Sequence, residues 1–110
     1  MSAPLNTFKS YTANLTTISS AIYTAPTGYT TVMLSAQISN TTGNTISVSG
    51  WHNRSGSLTA LLLGASVPTN DALNLLTGKV ILQTGDSLYA NASSNSSAQI
   101  LVSVLETSNG

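Results

Sequence analysis

Turn-forming residues recur along this chain from residue 26 onward, separated by five to thirteen residues. They fall at Pro26-Thr27-Gly28, Thr42-Gly43-Asn44, Arg54-Ser55-Gly56, Pro68-Thr69-Asn70-Asp71, Thr77-Gly78, Thr84-Gly85-Asp86 and over residues 92–97. Segments this short accommodate β-strands and leave almost no room for helices. Between the turns the apolar residues follow a period of two. Val32, Leu34, Ala36 and Ile38 share one side of an extended segment and Thr31, Met33, Ser35 and Gln37 the other, while Ile46 and Val48 alternate with Thr45, Ser47 and Ser49. Ile100, Val102 and Val104 alternate less strictly with Gln99, Ser103 and Leu105, as in a central strand covered on both faces for part of its length.

The pattern predicts strands near residues 7–12, 15–24, 29–40, 44–53, 58–65, 73–77, 79–83, 86–92 and 98–106. Short glycine-containing turns separate residues 73–76, 79–83 and 87–92, which read as a meander of hairpins. Short antiparallel strands in a chain of 110 residues each bury one face only by stacking as two sheets or closing a barrel. The expected class is therefore all-β: an antiparallel, jelly-roll-like β-sandwich of eight or nine short strands. The length suits one such domain over residues 13–107, with 1–12 as an N-terminal arm or edge strand and 108–110 as a flexible tail. Pro4 and the isolated Leu5 and Phe8 suit an extended segment that packs on a neighbour.

Charged residues make up only 5% of the chain, against about 25% in an ordinary soluble protein, yet apolar residues reach 41% and include 26 Leu, Ile and Val. That is too apolar for disorder. Solubility is left to 18 Ser, 16 Thr and 10 Asn, which wet a surface without ions. A formal net charge of zero offers no footprint for phosphates or anionic lipid, so neither nucleic acid nor membrane is an expected partner. It also removes the repulsion that keeps small domains apart and so favours self-association. With no cysteine there is no disulfide and no thiolate metal site. No secretory signal is visible at the amino terminus, and the apolar run 58–65 falls far short of the roughly 20 residues a membrane-crossing helix needs.

The inventory for catalysis is three carboxylates and one histidine. Asp71 and Asp86 lie in turn signals, where carboxylates accept hydrogen bonds from nearby amides. Glu106 follows the last strand core and is expected to be solvated or paired with a lone cation. No Gly-x-Ser-x-Gly elbow occurs, and one histidine among scattered carboxylates has no metal-ligand spacing. No enzyme activity, cofactor or metal is expected. Five Asn-x-Ser/Thr triplets, at Asn14, Asn40, Asn53, Asn91 and Asn95, are close to what this composition produces by chance.

Gly50-Trp51-His52-Asn53-Arg54 gathers the sole Trp, the sole His and the sole Arg. Strand parity places Trp51 outward with Ser47 and Ser49, as a sugar-stacking platform served by Asn53 and Arg54 or as a protein-interface anchor. A bulge at Gly50 would instead reset the alternation and turn the indole into the core. Trp51, Asn53, Arg54, Leu5 and Phe8 are the candidate contact residues.

The runs Ile22-Tyr23-Thr24-Ala25-Pro26-Thr27-Gly28-Tyr29-Thr30-Thr31-Val32, Ile38-Ser39-Asn40-Thr41-Thr42-Gly43, Leu82-Gln83-Thr84-Gly85-Asp86-Ser87-Leu88 and Val102-Ser103-Val104-Leu105-Glu106 carry a resemblance over residues 15–106. The chain resembles the small all-β virion structural proteins of tailed bacteriophages, of decoration, cement or tail-associated type, particularly those of cyanophages. The resemblance implies a compact sandwich that assembles, often as a homotrimer, on a major capsid protein or a tail or fibre protein. It transfers no functional residue, and the scarcity of charge departs from the acidic surface of many capsid decorations. A carbohydrate-binding module is the alternative.

Overall fold

The computed structural model describes residues 6–95 and 97–108. Nine strands form among them: β1 (Asn6–Asn14), β2 (Ser20–Thr24), β3 (Tyr29–Asn40), β4 (Ile46–Arg54), β5 (Ser57–Val67), β6 (Ala72–Asn74), β7 (Val80–Leu82), β8 (Ser87–Ala92) and β9 (Ala98–Ser108). Their pairing is that of one long hairpin rolled up on itself. β1 pairs with β9, β2 with β8, β3 with both β6 and β7, and β4 with β5, always antiparallel. Rolling adds the pairs β3–β9 and β4–β8, so one sheet runs β1-β9-β3-β6, with β7 also on β3, and the other β2-β8-β4-β5. This is jelly-roll connectivity in an antiparallel sandwich, the class the turn spacing predicts. At the hairpin tip Ser55 and Gly56 have φ of 53° and 87°, the two left-handed residues that a tight type I′ turn requires.

Met33, Ile38, Val102 and Val104 of the first sheet and Val48, Val67, Leu88 and Ala90 of the second form one core, each at or below 1% exposure. Burying a side chain of the larger type stabilises by about 1.5–3 kcal/mol, so this contact between the sheets dominates the fold. β9 lies between β1 and β3, the central position its composition predicts.

Three expectations are corrected by the structure. In β3 the ladder to β9 slips between Met33 and Ser35, because Leu34 is an extra residue there. Thr31 and Met33, then Ala36 and Ile38, face the core, and Val32 and Leu34 are left on the outside. The meander is absent: β6 and β7 lie one after the other along β3, and β8 crosses to the second sheet. Between β6 and β7 the chain leaves the ladder to bury Leu75 and Leu76 side by side, with Leu75 N donating to Ala36 O at 2.8 Å. The strand expected over 15–24 begins at Ser20, and Leu15, 1% exposed, turns into the core ahead of it.

Residues 6–12 form an edge strand paired to β9, not an arm reaching away from the domain, and the pairing takes up the backbone groups on the β9 side without a slip. Ser108 is still paired, with Tyr29. Leu5 and the remaining terminal residues lie outside the described residues.

Gly50 is a glycine for a steric reason. A Cβ on it would stand 2.9 Å from Leu75 Cγ and nearer still to both methyl carbons of that buried leucine. The second sheet thus accepts the plug from the first only where it carries no side chain.

Candidate functional site

Trp51 keeps the outward parity of β4. The pairing of β4 with β8 runs from Val48↔Ala92 to Asn53↔Ser87 without a slip, which puts Trp51 beside Tyr89. The irregularities around Gly50 lie in the pairing with β5, where β5 supplies the extra residues, so they leave the phase of β4 unchanged. The indole is half-buried on the outer face, outside the core. Asn53 shares that face, and its Oδ1 is buried without a hydrogen-bond partner in the protein.

His52 and Arg54 take the opposite parity and converge on Asp86. Arg54 donates Nε to both carboxylate oxygens at 3.1 Å and Nη2 to Oδ2 at 2.7 Å. His52 Nε2 stands 3.3 Å from the same Oδ2. Gln83 N donates to Oδ2 at 3.0 Å, the amide contact that a turn carboxylate is expected to make. Asp71 does likewise, accepting Ala72 N at 2.8 Å. Trp51 and Arg54 therefore do not converge on one ligand position. Phe8 lies elsewhere, on the outer face of the first sheet.

A second cluster surrounds Glu106, which is 2% exposed, lies within β9 and is paired with the cation Lys9, the second of the two expected states, and not solvated. Tyr23 donates to Oε2 at 2.6 Å, Lys9 Nζ stands 2.9 Å from Oε1, and Thr31 Oγ1 lies 2.7 Å from the Tyr23 oxygen. Because Tyr23 gives its single proton to Glu106, the Thr31 hydroxyl donates to Tyr23. Tyr11 stacks obliquely on Tyr23 with ring centroids 5.0 Å apart. The signal was present in the sequence, since Ile100, Val102, Val104 and Glu106 share one parity and carry the core row straight onto the carboxylate.

Both clusters set the response to pH. Burial pushes the Glu106 carboxyl up, but the hydrogen bonds from Tyr23 and Lys9 and the Lys9 charge outweigh it, and the group sits below the ordinary glutamate value. Arg54, by hydrogen bonding, holds Asp86 below the ordinary aspartate value against the opposing effect of burial. A depressed folded-state pKa stabilises above the unfolded value and is lost as pH falls through the folded one. Stability should hold above about pH 4.5 and decline below it as these carboxylates protonate. Tyr23 is raised by burial and by its bond to Glu106, so a second decline should begin above about pH 10, where an unfolded tyrosine ionises and the buried one does not. Urea midpoints from pH 2 to 11 check both limbs, and Glu106→Gln should flatten the acid limb.

What sequence reasoning missed is an apolar row on the outside of the first sheet. Phe8, Leu105, Val32 and Ile81 are directly paired in turn across β1, β9, β3 and β7. The extra residue at Leu34 is what turns Val32 outward, and nothing local in the alternation of Val32 and Leu34 with Thr31 and Met33 marks it.

No protein-family model matches the sequence, and no curated protein does. Among solved structures, a chain from Bacillus endospore appendages, described as a novel family of disulfide-linked pili, is 8% identical, with a TM-score of 0.57 over 96% of this chain and 88% of that one. A chain from the T13 IBDV viral particle is 8% identical with a TM-score of 0.58. The match covers 99% of this chain but 33% of that one, so this protein spans about a third of the viral chain's length. The likeness is one of fold: an all-β sandwich of a kind found both in an icosahedral particle and in a pilus.

Proposed function

We propose that the chain is a non-enzymatic structural subunit of a bacteriophage virion, most simply a capsid decoration or cement protein that trimerises and docks on the major capsid protein. A tail, baseplate or fibre position uses the same contacts. The observation that carries this reading is how the ionisable groups are spent. Four of the six charged side chains, Lys9 with Glu106 and Arg54 with Asp86, pair with each other, His52 adding to the second pair, and brace the sandwich; Asp71 and Lys79 lie in the connections before β6 and β7. What the faces offer a partner is shape, backbone edge and apolar area, the means of assembly. β1 adds an open edge, nine residues long and paired without a slip on its one side, whereas the β2 and β5 edges are irregular and that of β6 and β7 is broken. The fold likeness to a viral particle and a pilus supports the same class. Without cysteine, the contacts are not disulfide-linked.

The Trp51 face is assigned to the larger body. Trp51→Ala should weaken retention on purified capsids or tails by about 30-fold, the scale of an aromatic hot spot. Because the indole is only half-buried, its loss should cost folding less than the about 3–5 kcal/mol of a core aromatic. Co-sedimentation with particles and a urea melt measure the two. Unchanged retention, together with binding on a glycan array, would favour the carbohydrate-binding alternative, although Arg54 is turned away from Trp51 and held by Asp86.

A further inference from the structure

We infer that the outer face of the β1-β9-β3 sheet is the surface by which copies of this chain hold one another; the inference rests on the self-assembling reading above and names its contact. The row Phe8, Leu105, Val32 and Ile81 crosses the sheet without a polar interruption, each residue directly opposite the next. Its two ends are the most open, with Phe8 74% and Ile81 51% exposed. Four adjoining apolar side chains on a surface otherwise rich in Ser, Thr and Asn form a patch, unlike singly exposed leucines.

Three observations point to a second copy as the occupant. The first is charge. Lys9 and Glu106 lie on the inner side of the sheet, Arg54 and Asp86 bind each other at the second sheet, and Asp71 and Lys79 lie just before β6 and β7. Contact between copies brings like charges together unless the contact is nearly free of them; among the described residues the row itself carries no charge, Lys9 is paired with Glu106 and Lys79 stands at the margin before β7, so a charged partner would find little to recognise. The second is shape. Phe8 stands out beside a shallow hollow that it lines with Lys9, Ser10, Leu34, Ser103 and Val104, so knob and socket lie together and the Phe8 of one copy can enter the hollow of the next. The third is area. Four strand positions about 4.8 Å apart and at most the 11 residues of β9 at about 3.3 Å each bound the whole outer face at roughly 700 Å², so a contact that takes up the face around the row approaches the ~800 Å² per partner of a stable interface.

The test is light scattering after gel filtration, with a thermal melt beside it, on the full chain and on Phe8→Asp, Ile81→Asp and Ile18→Asp. Ile18 is 73% exposed between β1 and β2, off the row, and serves as the control. The unaltered chain and Ile18→Asp should elute as multimers. Phe8→Asp and Ile81→Asp should weaken association at least about 30-fold and run at 11.3 kDa with a cooperative melt. Should Phe8→Asp fail to fold, Ile81→Asp on β7 decides alone. A multimeric parent whose Ile81→Asp variant stays multimeric overturns this inference and leaves the self-assembling reading standing. A parent that is itself monomeric overturns both.

Discussion

Replacing Glu106 by alanine should lower folding stability by about 2–4 kcal/mol, through a lost charged hydrogen bond and a cavity among buried neighbours. The upper end of the range for breaking a buried ion pair does not apply. Lys9 is 45% exposed and recovers water, and Tyr23 keeps its contact with Thr31. What does apply is the place of the carboxylate: it joins β9 to β1 through Lys9 and, through Tyr23, to the second sheet. In a domain of this size each kcal/mol moves the melting temperature by about 4–8 °C, so a drop of roughly 8–32 °C is expected. Glu106→Gln, which keeps an acceptor for Tyr23, should recover more than half of it. A melt of the alanine variant within about 2 °C of the parent would mean that the cluster contributes nothing net to stability.

Asp86→Ala should have an effect of similar size, about 2–4 kcal/mol, by a different route. Asp86 closes the turn that carries the chain from β7 in one sheet to β8 in the other. Its backbone N donates to Gln83 O at 2.8 Å, its side chain accepts Gln83 N, and its carbonyl accepts Ala25 N at 2.9 Å. Arg54 then ties that turn to the end of β4 beside the hairpin tip. Truncation leaves the Gln83 amide without its acceptor and frees the guanidinium, while the backbone bonds remain. The variant should therefore fold, with reduced stability and an acid limb of its pH profile shallower than the parent's. Asp86→Asn should fall between, since an amide oxygen still accepts from Gln83. Comparing Asp86→Asn with Asp86→Ala in urea titrations at pH 7 separates the charge contribution from the hydrogen bond to Gln83.

Much of this architecture was legible because turn chemistry and period-two alternation are local. Ser55-Gly56 announces the hairpin tip, and the parity of Ile46 and Val48 places Trp51 outward as far along β4 as it continues. Extending the parity of Ile100, Val102 and Val104 by one more step would also have found the buried Glu106. Two features were not legible. The extra residue in β3 reverses which of Met33 and Leu34 is buried, and both residues are apolar, so no contrast marks the change. The partners of β6 and β7 were misread because three residues carry too little pattern to choose between a neighbour in sequence and a neighbour in space. Both misreadings hid the same thing, the apolar row that β3 and β7 help to form on the outside of the first sheet.

Sedimentation equilibrium of the unaltered protein, from below one to some tens of micromolar, tests the central claim most directly. A self-assembling structural subunit should sediment at about three times 11.3 kDa over most of that range and dissociate only on dilution. A single species at 11.3 kDa throughout would contradict the account.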